Sequence, residues 1–275
     1  MRGMDIIMRI LIKGAGDLAS GIAHRLKKAG YQILMTEINV PLTVRRTVAF
    51  SRAVYETEVE VEGIKGFLIH NISEIQEVWK QECIPVIVDE YAYIQREYQA
   101  DVIVDAIIAK HNIGTTMEDA PFVIGVGPGF GAGKDCHAVI ETKRGHYLGK
   151  VIWDGYAIPN TGIPGEIGGF STERIIRATA DGDFQPIANI SEIVEKGQIV
   201  AFSGGEPVET QMAGIIRGML QPGVKVVKGM KCGDIDARCE IDHCFTISDK
   251  ARAIAGGVLE AVVGYEHLLK GEIYE

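Results

Sequence analysis

The residues with the clearest chemical potential form a short turn near the start of the chain. Gly14 and Gly16 follow an apolar run, and Asp17 and Ser20 open a segment with the apolar spacing of a helix. Glycines at these positions permit a tight turn and let the backbone approach a phosphate group at a helix N-terminus. The pattern therefore predicts a strand–turn–helix unit that binds a phosphate-bearing ligand.

A carboxylate follows the second predicted strand at Glu37, twenty-one positions after Gly16. An acidic residue at this distance is typical of a group that binds a ribose with a free 2′-hydroxyl. Asp17 argues against a simple dinucleotide site, because its charge would act on the phosphate; it can instead cap the helix. A nicotinamide dinucleotide site and a purely architectural turn both remain open.

Two later apolar runs, 85–89 and 101–105, are continuous rather than alternating, which is typical of parallel strands covered on both faces. Both runs end in aspartate, at Asp89 and Asp105. Ligands of open α/β sheets bind beyond the carboxyl ends of strands, so both residues are site candidates. Aspartate is also common in ordinary turns.

A glycine-rich loop follows the predicted strand 121–126 and contains Gly127 and Gly129. It does not match a P-loop, because Pro128 and Asp135 stand where a glycine and a hydroxyl residue belong. Its backbone amides can still bind an anion, which makes Gly127 and Gly129 candidate cofactor-binding residues. A flexible lid is the alternative.

An Arg45–Arg46 pair lies in the segment after Glu37. These two cations are suited to neutralise a ligand phosphate. A solvated helix face is the alternative interpretation.

The candidate catalytic residues are Cys244 and His243, which precede a predicted helix that Ser248 caps. A neighbouring histidine and a helix N-terminus lower the pKa of a thiol, and a thiolate can hold a persulfide. A buried structural cysteine is the alternative. Cysteine, histidine and aspartate are frequent over 232–244, but their spacing matches no usual zinc pattern, so we expect no metal site.

The chain has 275 residues, a formal net charge of −9 and five cysteines. The negative charge without a basic stripe excludes nucleic acid as the main partner. No apolar run approaches the length of a membrane span, and the run 6–8 is expected to form a strand rather than a signal peptide. The cysteines suggest no disulfide framework, so a cytoplasmic protein is expected.

The predicted fold class is α/β plus β, in four parts. A Rossmann-like nucleotide-binding domain is expected over 1–118 and a β-rich region with the glycine-rich loop over 119–185. A barrel-sandwich module is expected over 186–240, and 241–275 are expected to form a C-terminal helix that packs back on the first domain.

The module is predicted from a repeat, 194–199 and 226–231, that flanks a hairpin. This arrangement resembles biotinyl and lipoyl domains. The hairpin tip, 209–212, has no lysine that could carry a prosthetic group. The module is therefore expected to be structural or to face a ligand.

Further motifs lie along nearly the whole chain, at 14–20, 44–46, 104–106, 125–130, 139–146, 159–165, 233–236 and 246–254. Together they resemble the selenium-dependent molybdenum hydroxylase system protein family, an accessory of xanthine-dehydrogenase-type enzymes. The chain departs from the family at 236–238, where Asp-Ala-Arg replaces the frequent Asp-Pro-Arg, and Cys232 and Cys239 look like local additions.

The resemblance implies a maturation role, in which selenium or sulfur, or the molybdenum cofactor, is delivered to an apo-hydroxylase partner. The candidate cofactors are a nicotinamide dinucleotide and the molybdenum cofactor, and the expected small-molecule partner bears a phosphate. No membrane partner is expected, and a homo-oligomer is left open. The alternatives are an NAD-dependent oxidoreductase of a small metabolite and a non-catalytic chaperone that docks the apo-hydroxylase.

Overall fold

The computed structural model of the chain describes residues 8–162 and 165–271. Its strands up to residue 156 are β1 (Arg9–Lys13), β2 (Gln32–Glu37), β3 (Glu58–Val61), β4 (Ile64–Ile69), β5 (Ile84–Val88), β6 (Val102–Asp105), β7 (Phe122–Val126), β8 (Gly131–Ala132), β9 (Ala138–Ile140), β10 (Val151–Ile152) and β11 (Gly155–Tyr156). The later strands are β12 (Ile175–Arg177), β13 (Gly182–Pro186), β14 (Ile193–Val194), β15 (Ile199–Ser203), β16 (Glu206–Glu209), β17 (Gly214–Met219), β18 (Lys225–Val226) and β19 (Lys231–Asp236). The α-helices are α1 (Asp17–Lys28), α2 (Ala53–Glu56), α3 (Ile75–Lys80), α4 (Gln95–Tyr98), α5 (Asp242–Phe245) and α6 (Asp249–Leu269).

Three predicted segments extend past these limits. Residues 6 and 7 of the predicted first strand lie outside the described residues, as do 163–164 of the motif 159–165 and 272–275 of the predicted C-terminal part.

Within the described residues, nine strands form one mixed sheet in the order β10-β9-β7-β6-β1-β2-β5-β4-β3. Neighbours from β9 to β4 pair in parallel, and β10 and β3 pair antiparallel at the two edges. The central strands are apolar on both faces: Ile10 and Ile12 enter one core, while Leu11 between them enters the other. Continuous apolar runs are required because both faces of the sheet are covered.

The long C-terminal helix α6 packs against α1 on one face of this sheet. Ala251, Ile254 and Val258 share a core with Ile22 of α1. The two helices approach closely at Gly21, where a Cβ atom would lie 2.9 Å from the Ala251 Cβ. The same helix also contacts β7, β9 and β10, so it covers the half of the sheet beyond β6.

The predicted Rossmann-like domain is corrected by this architecture. The sheet continues past residue 118 through β7, β9 and β10 and is mixed rather than parallel throughout. A Rossmann unit places a helix in each crossover. The described crossover from β6 to β7 contains only a 3₁₀ turn at Met117–Asp119, and α6 from the other end of the chain covers these strands instead.

The second region is a pair of antiparallel four-stranded sheets, with the orders β12-β19-β17-β14 and β16-β15-β13-β18. Phe184, Val200, Ile216 and Ile235 pack in the core between them. The predicted barrel-sandwich module over 186–240 is therefore corrected to two sheets over 175–236, because β12 and most of β13 precede residue 186.

The two regions are joined by the segment after β2. The Met219 N–H donates to the Val44 carbonyl at 2.8 Å, and Gly218 faces Val44 so closely that a Cβ atom would lie 2.9 Å from it. This junction holds β17 next to the carboxyl ends of the large sheet. Across the described residues, none of the helices has the length and hydropathy needed to cross a membrane.

Candidate functional site

A cleft of about 870 Å³ lies between the large sheet and the two-sheet region. Its walls come from the segments that follow β1, β2, β5 and β6, from β12, β17 and β19, and from the start of α6. The carboxyl ends of parallel strands are where ligands of open α/β sheets bind. The cleft is therefore the candidate site.

The glycine turn forms one end of this cleft, because Gly14, Gly16 and Asp17 all line it. Gly14 has a φ of +91°, and a Cβ atom there would lie 3.1 Å from the Ile107 Cα. Gly16 is the N-cap of α1 and provides no side-chain hydrogen bond to the first turn. Asp17 does not cap the helix; it is the first helical residue. The first turn of α1 thus keeps backbone N–H groups without a side-chain acceptor, at the positive end of the helix dipole.

Glu37 fixes the shape of the turn from the end of β2. Its Oε2 accepts a hydrogen bond from the Ala15 N–H at 3.0 Å, and its Oε1 accepts one from the Ile38 N–H at 2.8 Å. Burial raises the pKa of this carboxyl. Glu37 lines the cleft, and Asp89 lines it further along the strand ends.

Ser20 lies beneath the turn rather than in the cleft. Its hydroxyl donates to the Ala15 carbonyl at 3.1 Å and accepts from the Phe50 N–H at 2.8 Å, and the side chain is fully buried. The structure therefore places Ser20 as a support of the turn and does not bring it to the cleft surface.

Asp105 is likewise buried and shapes a neighbouring loop. Its Oδ1 accepts from the Ile107 N–H, and its Oδ2 accepts from the Thr115 hydroxyl at 2.7 Å. The Lys13 ammonium bonds the same Thr115 hydroxyl and the Asp119 carboxylate. Burial raises the pKa of Asp105. This residue positions the loop after β6, and the loop rather than the carboxylate lines the cleft.

Gly127 and Gly129 do not line the cleft, although Pro128 between them does. Gly127 donates its N–H to the Ile140 carbonyl. Gly129 has a φ of +113°, and a Cβ atom there would lie 2.5 Å from the His111 Cα. Gly129 thus allows close packing against the loop after β6, and Gly127 allows close packing against the Thr142 side chain, whose Oγ1 would lie 2.9 Å from a Gly127 Cβ atom.

Cys244 and His243 are not part of the cleft lining. Cys244 is fully buried, its Sγ lies 3.6 Å from the Ile216 carbonyl, and burial raises the pKa of its thiol. The prediction of a lowered thiol pKa is therefore wrong. His243 contributes its backbone carbonyl, which accepts hydrogen bonds from Arg45 and Arg217.

Arg45 is a buried cation of the cleft, with 7% of its surface exposed. Its Nη2 donates to the His243 and Thr246 carbonyls, both at 2.9 Å. Its Nε and Nη1 have no hydrogen-bond partner among the described residues. Arg46 instead turns away and donates to the Met219 carbonyl at 3.2 Å. Of the two adjacent arginines, Arg45 therefore lines the cleft and Arg46 contacts the junction between the two regions.

Three further cations of the cleft lie around the carboxylate of Asp234 on β19. Arg174 donates to Asp234 Oδ1 in a short charged contact. The Lys231 Nζ lies 3.8 Å from Oδ1, and the Arg217 Nη1 lies 3.9 Å from Oδ2. Asp234 therefore faces three cations, one of which, Arg217, also lies 3.9 Å from the Asp236 carboxylate.

Lys250, in the first turn of α6, adds a cation that sequence reasoning missed. It lines the cleft, and its ammonium group forms no hydrogen bond or salt bridge with the side chains and carbonyls of the described residues. Burial and the charge of Arg144 lower its pKa. Among the described residues lining the cleft, nine are lysine or arginine and five are aspartate or glutamate. The cleft is thus positive in a chain whose formal net charge is −9.

In the described part of the chain, no group of three histidine, cysteine, aspartate or glutamate side chains is arranged to hold a metal ion. The lining of the cleft offers cations, carboxylates and apolar side chains.

No protein-family model matches the chain. It is 46% identical over 258 residues to the Escherichia coli (strain K12) protein named "Uncharacterized protein YqeB", a match that covers 94% of this chain and 48% of that protein. The chain thus spans about half the length of this curated relative.

Among solved structures, it is similar to an aspartoacylase family protein from Mesorhizobium loti, with 12% identity, a TM-score of 0.26 and coverage of 83% of this chain and 85% of that one. It is also similar to a succinylglutamate desuccinylase from Silicibacter sp. TM1040, with 15% identity, a TM-score of 0.25 and coverage of 83% and 84%. These TM-scores are too low for any inference about fold or activity.

The predicted family and function find no support in these comparisons. No family model matches the chain, and the relative that covers 94% of it is named as uncharacterized, without reference to molybdenum or selenium. The assignment to the selenium-dependent molybdenum hydroxylase system family and the maturation role drawn from it are withdrawn. The oxidoreductase and chaperone alternatives find no support either.

Proposed function

We propose that the cleft binds a phosphate-bearing small molecule. The observation that carries this proposal is the buried guanidinium of Arg45, whose Nε and Nη1 lack partners in the described residues. Buried donors without acceptors are costly, and a phosphate offers several charged acceptor oxygens. A phosphate at this end of the cleft would accept hydrogen bonds from donors that have no acceptor among residues 8–162 and 165–271.

Arg45 lies beside the first turn of α1, whose backbone N–H groups have no side-chain cap. Helix N-termini and arginine forks are the two protein features that most often hold phosphate oxygens. Gly16 lines the cleft here, and a Cβ atom on it would meet only the Thr43 Oγ1 at 3.4 Å, so a ligand can approach the backbone at this residue. The Arg45 guanidinium and the N-terminus of α1 therefore both contribute positive potential at the same end of the cleft.

The second group of cations extends this potential along the cleft. Arg174, Arg217 and Lys231 surround Asp234, and Lys250 faces the cleft from α6. A cleft that concentrates one sign of charge also attracts oppositely charged ligands from solution. The excess of cations over carboxylates in the lining favours a ligand that carries more than one negative charge.

The experiment is isothermal titration of the full chain with pyrophosphate, at low salt and again at about 0.3 M salt, where exposed charges are largely screened. We expect binding that weakens with salt. Arg45→Gln should weaken it by about 2 kcal/mol, roughly thirtyfold, which is typical of a hydrogen bond to a charged group. Because Arg45 also bonds two carbonyls, Lys250→Gln serves as a second variant that removes a cleft charge without removing a hydrogen bond.

The matched control is Lys225→Gln, which removes the same charge from an exposed side chain paired with Asp183 outside the cleft. It should bind pyrophosphate as the parent chain does. Absence of binding by the parent chain, or equal weakening by Lys225→Gln and Lys250→Gln, would contradict the proposal.

A further inference from the structure

The cleft carries exposed apolar side chains as well as cations. Leu42 is 47% exposed, Ile113 53%, and Ile107 and Ile158 are each 37% exposed, and all four line the cleft. Single exposed apolar residues are normal on protein surfaces, but a group of them within one concave site marks a binding surface.

Two of these residues belong to the loop after β6, which is held rigidly. The Asn112 side chain donates to the Thr115 carbonyl at 2.7 Å and accepts from the Thr115 N–H at 2.8 Å. The Thr115 hydroxyl is in turn fixed by Asp105 at 2.7 Å. Ile107 and Ile113 are therefore presented to the cleft in a defined position before any ligand binds.

The apolar side chains lie next to the glycine turn. The Ile107 Cα is 3.1 Å from the place of a Gly14 Cβ, so this loop and the turn are in contact. Leu42 precedes Thr43, whose Oγ1 is 3.4 Å from the place of a Gly16 Cβ. Apolar surface thus begins within contact distance of the proposed phosphate position.

Resting on the proposed function, we infer that the ligand is a phosphate monoester whose organic group is apolar, and that this group packs on Leu42, Ile107, Ile113 and Ile158 while the phosphate binds near Arg45. Inorganic phosphate would use only the cationic part of the cleft. An apolar substituent would remove exposed side chains from water, which favours binding in proportion to the area buried.

The test titrates the full chain with inorganic phosphate, methyl phosphate, butyl phosphate and hexyl phosphate. Each methylene buried is expected to raise the affinity about fourfold, the equivalent of about 0.8 kcal/mol. The heat-capacity change of binding should become more negative along the series, since that is the marker of apolar burial.

Ile113→Ser should weaken hexyl phosphate binding at least fivefold and leave inorganic phosphate binding unchanged. The matched control is Ile193→Ser, which alters an isoleucine that is 65% exposed on β14 and does not line the cleft. It should leave both affinities unchanged.

Equal affinity across the series, or equal effects of the two serine variants, would overturn the apolar assignment while leaving phosphate binding intact. Absence of binding for pyrophosphate and every monoester would overturn the proposed function and this inference with it. The apolar subsite would be established if Ile113→Ser weakens binding more as the alkyl group of the phosphate ester lengthens, and Ile193→Ser does not.

Discussion

The Nη1 atom of Arg45 lies 3.7 Å from the Oδ2 atom of Asp17, next to the N-terminus of α1. This distance is too long for a hydrogen bond, so Asp17 lowers the electrostatic cost of burying Arg45 without satisfying its donors. The same carboxylate occupies the place where a phosphate would benefit most from the helix dipole. Asp17 and the proposed ligand therefore compete for one cation.

Asp17→Asn should strengthen pyrophosphate binding while slightly weakening the fold. Removing the competing charge is expected to favour binding by about 1 kcal/mol, roughly fivefold. Losing an acidic residue from the first helical turn should lower the free energy of unfolding by about 0.5 kcal/mol. Titration calorimetry and urea unfolding measure the two effects separately, and weaker binding by this variant would refute the competition.

Gly14→Ala should destabilise the turn beyond the cost of its backbone conformation. Both Gly14 and Gly30 have positive φ values, +91° and +98°, but a Cβ atom at Gly30 would meet nothing within 4 Å. Gly30→Ala thus reports the conformational cost of about 1 kcal/mol alone. Gly14→Ala adds the approach to the Ile107 Cα and should cost about 1–3 kcal/mol more.

The two unfolding free energies can be compared directly in urea. Equal losses would mean that the loop after β6 moves freely away from the turn. That result would also remove the contact on which the apolar surface near the phosphate depends.

Cys239 and Cys244 should differ in their reaction with iodoacetamide. Cys239 is exposed, whereas Cys244 is buried and its thiol has a raised pKa because of that burial. In the native chain at pH 7 we expect Cys239 to be modified first and Cys244 only after unfolding. Peptide mass spectrometry over time locates the label, and a Cys244 rate equal to that of Cys239 would contradict the buried placement.

The glycine turn and Glu37 could be found from the sequence because their signals are local: an apolar run, two glycines, a helical spacing and a carboxylate at the end of the next strand. The cations of the cleft could not. Arg217 and Lys231 lie on strands of the second region and Arg174 directly precedes β12. Nothing in their own neighbourhoods indicates that β12, β17 and β19 close over the ends of the large sheet.

The C-terminal helix shows the same limit at the level of the fold. Its amphipathic spacing predicts a helix, but its role in covering β7, β9 and β10 depends on strands that are distant in the sequence. The same limit applies to Cys244. Its neighbours in sequence indicate an activated thiol, but the assembled fold buries it, with its Sγ 3.6 Å from the Ile216 carbonyl on β17.

Asp234→Asn should weaken the fold and strengthen anion binding at once. Asp234 is 3% exposed and faces the buried Arg174 and Arg217 and the exposed Lys231. The variant removes the carboxylate that Arg174 bonds, while Arg217 keeps its 3.9 Å contact with Asp236. Removing one partner of a buried ion pair costs about 3–5 kcal/mol, and we expect a loss in this range in urea unfolding. The freed cations should in turn bind pyrophosphate more tightly, so that the ligand raises the Tm of this variant more than that of the parent chain. Asp183→Asn is the matched control, since Asp183 is exposed and its pair with Lys225 should contribute less than about 1 kcal/mol. A stability loss without any gain in pyrophosphate binding would show that these cations serve the fold alone.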